Sequence, residues 1–154
     1  MDEEDRARIV TELVKEVLAK IGIAAEVAVT TDEDGNFKVD IRGQDLGALI
    51  GYHGESLSSL QLFLHLAVHR RLGEWHRVLV DIEGYRAERE QRLYDLARRT
   101  ADRVRFLQTP VTLSPMPAFE RRLIHMALAD EEGVETESIG EGWERRVVVK
   151  PKMS

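Results

Sequence analysis

The sequence contains no cysteine among its 154 residues, which excludes disulfide bonds and thiolate metal sites and is compatible with a reducing compartment. It also contains no uninterrupted apolar run near the ~18 residues that a membrane-spanning helix needs. Aromatic residues make up only 6% of the chain, and the formal net charge is −6. Because polyanions are attracted by Lys and Arg, any contact with a nucleic acid must use local sites rather than the overall field.

The net negative charge of the chain lies in its first part, which has fewer basic residues. Residues 1–84 hold 9 basic and 16 acidic side chains, a net charge of −7, whereas residues 85–154 hold 13 basic and 12 acidic side chains, a net charge of +1. The acidic start, MDEED, is unlike the basic start of a secretory signal. We therefore expect a cytoplasmic protein that is not inserted directly into a membrane.

The apolar periodicity of residues 1–83 predicts one unit with the order α-β-β-α-α-β. Helices are predicted over residues 3–21, 45–50 and 55–72. Strands are predicted around 27–29, 37–41 and 78–82, and Asp34-Gly35-Asn36 between the first two is typical of a hairpin turn. Short strands alternating with helices in this way indicate an α+β fold.

Residues 84–154 predict a second unit with the order long helix, β-α-β-β. The long helix covers residues 85–107, with an apolar stripe that includes Leu107, and a strand covers 111–113. A second helix is predicted with Pro117 as its first residue and an end near Gly133, followed by strands over 134–139 and 143–149. No low-complexity linker separates the units, so we place the domains at 1–83 and 84–154.

The loop Gly51, Tyr52, His53 and Gly54 lies between two predicted helices and is the first candidate site. Glycine accepts positive φ and lets the backbone approach another chain closely, and the following helix N-terminus attracts phosphate. Tyr52 could stack on a base, and His53 could donate a hydrogen bond. The structural alternative is an ordinary helix–helix turn. We expect Gly54→Asp to repel phosphate with little loss of folding.

Arg121 and His125 form the second candidate site, together with the adjacent Arg122. Residues four apart on a helix share a face, so a guanidinium could grip a phosphate while the imidazole adds a donor or stacks. The alternative is a partly buried His125 beside a merely solvated Arg121. Glu120 is expected near the positive N-terminal end of the same helix.

The segment LIGYHGESL (49–57) follows a hairpin and resembles the loop of a KH domain of the type II order, α-β-β-α-α-β, over about residues 1–83. Such a loop holds about four nucleotides of RNA backbone. The family's loops often carry Lys or Arg in the middle, where this chain has Tyr52 and His53. The runs LSPMPAFERRLIH (113–125), VETESIGEG (134–142) and RRVVV (145–149) resemble an R-3-H domain, named for an Arg and a His separated by three residues.

The fusion of these two domains resembles the bacterial Jag family, also called SpoIIIJ-associated or KH–R-3-H proteins. The resemblance implies a cytoplasmic single-stranded RNA-binding protein, a post-transcriptional regulator or RNA chaperone linked to cell envelope and division control. It also implies two protein partners, a small single-KH protein and a membrane-protein insertase. Many members carry an extra N-terminal domain and a basic linker, and we expect this chain to be a form without them.

Several alternatives to this function remain open from the sequence. Single-stranded DNA is an alternative ligand, and a protein-interaction scaffold associated with the insertase, with weak nucleic-acid binding, is an alternative function. His65 and His69 have zinc-ligand spacing, but no third ligand follows, so we expect no metal site and no cofactor. No nucleophile elbow or phosphate-binding loop of an NTPase is present, so we expect no enzyme; cleavage of RNA by His125 is the competing hypothesis.

The long helix of the second unit is rich in arginine. The interleaved acids favour a solvated, salt-bridged face, whereas a basic rail that steers RNA between the domains is the functional alternative. The arginines concerned are Arg86, Arg89, Arg92, Arg98, Arg99, Arg103 and Arg105.

Overall fold

In the computed structural model, which describes residues 1–153, the chain forms two units, Met1–Arg86 and the residues from Ala87 onward. The predicted order of the first unit is confirmed. Its elements are α1 (Glu3–Lys20), β1 (Glu26–Thr31), β2 (Phe37–Arg42), α2 (Gly47–Ile50), a 3-10 turn (Tyr52–Gly54), α3 (Glu55–Leu72) and β3 (Val78–Ile82).

The sheet of the first unit has β2 at its centre, antiparallel to β1 and parallel to β3. Phe37, Val39 and Ile41 alternate along β2 and are buried on one face, where α1 and α3 supply the opposing apolar side chains. A strand with one buried face requires this period of two. The core consists of Val10, Leu13, Val14, Leu18, Phe37, Val39, Ile41, Leu46, Leu49, Leu57, Leu60, Leu64, Val68, Val78, Val80 and Ile82.

Side chains cover the open edge of β3. Gln61 Oε1 accepts the Val80 N–H at 2.9 Å, and Arg86 Nε donates to the Val80 carbonyl at 2.9 Å. Arg86 NH2 also donates to Gln61 Oε1 at 3.0 Å, which links the two side chains. Since unpaired backbone groups on an edge strand invite pairing with other chains, this pair of side chains protects the sheet at Val80.

The second unit is a three-stranded antiparallel sheet packed against two helices. Its elements are α4 (Tyr85–Leu107), β4 (Val111–Thr112), α5 (Ala118–Leu128), β5 (Val134–Ile139), a 3-10 turn (Gly142–Glu144) and β6 (Arg146–Pro151), and the strand order is β4-β6-β5. The core consists of Leu93, Ala97, Ala101, Val104, Leu113, Met116, Ile124, Leu128, Val134, Val147 and Val149.

Four sequence-based details of the second unit are wrong. Pro117 is the N-cap residue of α5, not its first helical residue, and the helix ends at Leu128, where a turn leads to Gly133 at φ +80°. Trp143 lies in the 3-10 turn, so β6 begins only at Arg146. Leu107, predicted to belong to the apolar stripe of α4, is not buried. It is 46% exposed because α4 ends there and the next residue, Gln108, takes a positive φ.

Glu120 lies in the first turn of α5, as expected, and it is fully buried. Its two carboxylate oxygens accept hydrogen bonds from Arg89 Nε at 2.8 Å and from Arg89 NH2 at 3.0 Å. A buried charge requires such a partner, and a bidentate guanidinium is the strongest one available. Arg89 therefore fixes α4 to α5, and it does not belong to a solvated arginine face.

Candidate functional site

The Gly51–Gly54 loop has a backbone that only glycine can adopt at its first position. Gly51 has φ 74° and ψ −176°, a region that residues with a Cβ avoid. A Cβ added there would lie 2.4 Å from Ser56 Oγ and 2.9 Å from Ser56 N. The chain therefore turns tightly against the start of α3, and the sequence expectation of a glycine-dependent loop has a physical basis.

The middle of the loop lies at the protein surface. Tyr52 is 65% exposed, and its ring meets the half-buried His53 ring edge to face at 4.0 Å. His53 has φ 52°, a left-handed conformation that is uncommon outside glycine and that Asn, Asp and His adopt more often than other residues. No side chain caps the 18-residue α3 at Gly54, so the N-terminal N–H groups and the positive end of the helix dipole lie beside the loop.

The expectation that Gly54→Asp would leave folding nearly intact is wrong. Gly54 is buried with φ +78°, and a Cβ there would lie 3.0 Å from Tyr85 Cε1. An aspartate at this position would strain the backbone and crowd the Tyr85 ring. Loss of binding in that variant would therefore not separate charge repulsion from misfolding.

A groove of about 600 Å³ extends from the turn after the loop along α3. Ser58, Gln61, Leu62 and His65 recur at helical spacing and form its helical side. Lys38 and Arg77 contribute positive charge from the sheet side. The complete lining is Thr30, Thr31, Asp32, Asn36, Phe37, Lys38, Ser58, Gln61, Leu62, His65, Arg77, Val78 and Leu79. The sequence pattern alone did not identify these two cations, because their alignment requires the strand register.

Arg121 is held in place by uncharged groups of the second unit. Its Nε donates to the Met116 carbonyl at 3.1 Å, and NH1 lies 3.5 Å from Ser138 Oγ. Within residues 1–153, no carboxylate lies in ion-pair distance of the guanidinium. The guanidinium is thus oriented but not neutralised, which leaves its charge available for an anion.

His125 lies between two hydroxyl groups of β5. Its Nδ1 is 2.6 Å from Thr136 Oγ1, and its Nε2 is 2.8 Å from Ser138 Oγ. Burial, followed by the positive charges of Arg121 and Arg145, lowers the pKa of His125 below its ordinary value of about 6.5. The imidazole is therefore neutral at neutral pH, with one nitrogen donating and the other accepting.

Thr136, Ser138 and Arg145 belong to this cluster but were not singled out from the sequence. Thr136 and Ser138 are two apart on β5 and half-buried, so they share one face of the strand. Arg145 follows the 3-10 turn, and its NH1 donates to the Gly140 carbonyl at 2.8 Å. The alternation of small hydroxyl residues in the run VETESI was the available signal, and it becomes specific only once α5 covers that face.

Arg122 is not brought into the Arg121–His125 cluster. It is exposed, it lies one residue along α5 from Arg121, and it has no hydrogen bond or ion pair within the described chain. Two aromatic residues of the second unit are exposed: Phe119, 57% exposed in the first turn of α5, and Trp143, 84% exposed in the 3-10 turn between β5 and β6.

The His65 and His69 pair stacks on an aromatic ring. The His69 and Trp75 rings are parallel within 5° at 3.4 Å, and the His65 ring lies 5.4 Å from the same indole. No group of three metal-ligating side chains is present among residues 1–153. No helix in the same part of the chain has the length and hydrophobicity needed to cross a membrane.

Comparison with known proteins matches both units to family models. Residues 11–82 match the family described as KhpA/KhpB, KH domain, and residues 91–151 match the R-3-H domain. The chain is 35% identical to RNA-binding protein KhpB of Clostridium symbiosum over 142 residues, 92% of this chain and 64% of that protein. It is also 35% identical to RNA-binding protein KhpB of Bacillus subtilis over 133 residues, 84% of this chain and 64% of the relative.

These matches and the two folds define a protein with a KH domain followed by an R-3-H domain. The predicted α+β class is confirmed. The chain is a homologue of the proteins named RNA-binding protein KhpB, of the Jag family. It spans less than two thirds of the length of the curated relatives that it matches.

Proposed function

We propose that this chain binds single-stranded RNA through two separate sites, the Gly51–Gly54 loop and the Arg121–His125 cluster. The observation that carries the proposal is the guanidinium of Arg121, which is oriented by Met116 and Ser138 without an internal carboxylate. The relatives are named as RNA-binding proteins, which supports RNA as the ligand. Because the net charge is −6, such local sites must supply the attraction.

In the KH domain, the glycines of the loop would hold the RNA backbone against the start of α3. Tyr52 would stack on a base and His53 would add a hydrogen bond, while bases lie along the groove beside Ser58 and Leu62. The exposure of Tyr52 and the absence of a side-chain cap at Gly54 support this assignment.

In the R-3-H domain, Arg121 would bind a second phosphate, with His125 as part of the same site and Arg122 as an exposed outer contact. Aromatic rings stack on the faces of unpaired bases, so the exposed Phe119 and Trp143 favour a single strand over a duplex. Each site alone would be weak, and their presence on one chain raises affinity through effective concentration. The predicted domain limits, 1–83 and 84–154, remain predictions.

The cellular role that fits this binding is that of a post-transcriptional regulator or RNA chaperone linked to cell envelope and division control. Such a protein would act in the cytoplasm, with a small single-KH protein as its partner. Single-stranded DNA would be the competing ligand. RNA retrieved by crosslinking in cells should then include transcripts of envelope and division genes.

The alternative function, an interaction scaffold associated with a membrane-protein insertase, is favoured by one observation. Leu62, Phe63 and Leu66 on α3 are each at least 50% exposed, and a cluster of exposed apolar side chains typically serves a protein contact. A scaffold without RNA affinity would retain no RNA oligonucleotide on a filter at low salt. Retention at low salt would support the RNA-binding proposal instead.

Arg121→Ala tests the second site directly. The variant should bind a single-stranded RNA oligonucleotide more weakly, and the slope of log affinity against log salt should flatten by about 0.7 for one lost phosphate contact. Arg70→Ala is the matched control, because Arg70 is exposed on α3, belongs to neither candidate site and has no ion pair within residues 1–153. Equal slopes for wild type and Arg121→Ala would show that Arg121 contacts no phosphate.

A further inference from the structure

Neither ring nitrogen of His125 is left for a ligand. Nδ1 is engaged by Thr136 Oγ1 at 2.6 Å and Nε2 by Ser138 Oγ at 2.8 Å, both within ordinary hydrogen-bond distance. A phosphate could reach the imidazole only by displacing one of these hydroxyls. The half-buried position of the ring makes such displacement costly.

Ser138 connects His125 to Arg121. Its Oγ lies 2.8 Å from His125 Nε2 and 3.5 Å from Arg121 NH1. Arg121 Nε is fixed separately by the Met116 carbonyl at 3.1 Å. The guanidinium is thus held on its Nε and NH1 sides, and NH2 has no hydrogen-bond partner in the described residues.

We propose that His125 is a positioning residue that acts through Ser138: the imidazole fixes the Ser138 hydroxyl, the hydroxyl fixes Arg121, and Arg121 with Ser138 touches the phosphate. The inference rests on the proposed RNA-binding function and assigns a different task to each member of the cluster. Ser138 becomes a ligand-contacting residue, and the histidine of the R-x-x-x-H spacing does not.

The arrangement works only with a neutral ring. A neutral imidazole donates from one nitrogen and accepts at the other, so it donates to one of the two hydroxyl groups and accepts from the other. The charged groups that act on the ring are Arg121 on the same helix and Arg145 after the 3-10 turn, both cationic, while the facing β5 side chains do not titrate. Protonation would make both nitrogens donors and force one hydroxyl to turn away.

Proton binding therefore distinguishes the two possible roles of His125. A positioning histidine loses RNA affinity as pH falls through its pKa, because the hydroxyl that donates to the ring is released. A histidine that donates to phosphate gains affinity over the same range, since the phosphate favours the protonated ring. The sign of the change between pH 7.5 and 5.5 is the diagnostic quantity.

Substitution of His125 by glutamine or by asparagine distinguishes the two contacts of the ring. His125→Gln can reach Ser138 from the position of Nε2, whereas His125→Asn can reach only Thr136 from the position of Nδ1. Binding of a fluorescent 12-nucleotide oligouridine should be close to wild type in the Gln variant and independent of pH from 5.5 to 7.5. The Asn variant, Ser138→Ala and His125→Ala should each bind about fivefold to tenfold more weakly.

The combined variant His125→Ala with Ser138→Ala should bind no more weakly than either single variant, because both remove the same link. Additive losses, or a wild type that binds more tightly at pH 5.5 than at 7.5 while the Gln variant does not, would overturn the proposal. Thermal unfolding of each variant shows whether a loss reflects folding.

An RNA-free measurement separates this inference from the proposed function. The Nε–H resonance of Arg121 in a ¹⁵N correlation spectrum should be sharp in wild type and in His125→Gln. It should broaden in Ser138→Ala and His125→Asn, as the guanidinium loses its support. An unchanged resonance would refute the positioning role even if RNA binds. Altered resonances without any RNA binding would leave the positioning intact and refute the RNA proposal.

Discussion

The two domains build their candidate sites by opposite means. In the KH domain, the backbone supplies the site: Gly51, His53 and Gly54 all have positive φ, and the start of α3 presents uncapped N–H groups. In the R-3-H domain, the backbone of α5 is regular, and side chains from two elements, Arg121 and Ser138, supply the site. The charges differ in the same sense, −7 for residues 1–84 and +1 for residues 85–154.

The difference between the two candidate sites predicts which of their residues can be substituted. A site made from backbone N–H groups tolerates changes at its outward side chains but not at its glycines. A site made from a guanidinium tolerates changes of the neighbouring residues but not of the groups that orient the guanidinium. In the proposed function, the loop would hold a phosphate through its backbone N–H groups, so Tyr52 and His53 in place of Lys or Arg are compatible with that proposal.

The largest expected effect is a loss of stability in the R-3-H domain when a buried charged side chain is removed. Glu120→Ala removes the buried carboxylate that pairs with the Arg89 guanidinium, whose side chain is 23% exposed. Truncating one member of a buried pair costs about 3–5 kcal/mol. Urea unfolding followed by hydrogen exchange should show early exchange in residues from Ala87 onward, with protection in the KH domain retained.

Glu88→Ala is the control for Glu120→Ala. Glu88 also pairs with an arginine, Arg92, but both side chains are about 60% exposed. An exposed pair contributes at most about 1 kcal/mol. Equal losses of stability in the two variants would mean that burial does not decide the strength of these pairs.

The next effect concerns the glycines of the KH domain. Gly51→Ala should lower the free energy of unfolding by about 1–3 kcal/mol, because its backbone conformation excludes a Cβ. Gly47→Ala, four residues earlier, should raise it by about 0.4–1 kcal/mol, because Gly47 is helical with nothing within 4 Å of its Cβ position. Chemical denaturation of both variants checks the signs, and the same sign for both would contradict the loop geometry.

Most of the fold could be predicted from the sequence because each element buries one face. The alternation in β2, the helical stripe of α3 and the turn signal Asp34-Gly35 are local patterns, and all are confirmed. The errors lie where tertiary contacts decide. Pro117 is the N-cap of α5 and not its first helical residue. Trp143 lies outside β6 because Gly140 and Gly142, both at positive φ, turn the chain just before it.

The candidate sites could be predicted only in part. Arg121 and His125 share a helix, so spacing alone places them together. Ser138 and Thr136 come from a strand 11 to 17 residues away, and no local pattern indicates which strand residues α5 will cover. The Glu120–Arg89 pair likewise joins residues 31 apart, and charge alternation along α4 suggested solvation instead.

A smaller effect separates charge from geometry in the Gly51–Gly54 loop. His53→Asp and His53→Asn have nearly equal shapes and both accept the left-handed backbone, so they differ mainly in charge. If phosphate lies about 4 Å away, the aspartate should weaken RNA binding by about 1 kcal/mol, or roughly fivefold, relative to the asparagine. Fluorescence anisotropy at low salt measures the ratio, and equal affinities would show that no phosphate approaches the loop.

The smallest effect is a pH dependence confined to the R-3-H domain. The pKa of His125 lies below its ordinary value of about 6.5, so between these values the unfolded chain binds more protons than the folded one. Stability is therefore fully present above about pH 6.5 and falls as pH falls toward the folded pKa, by at most about 1.4 kcal/mol per pH unit. Hydrogen exchange in β5 and α5 at pH 7.5 and 5.5 measures the loss, and His125→Gln should abolish it. A stability that instead rises on acidification would mean that the folded domain favours the imidazolium, and the contrast between a neutral, hydroxyl-bound ring and a charged, phosphate-binding one would then be reversed.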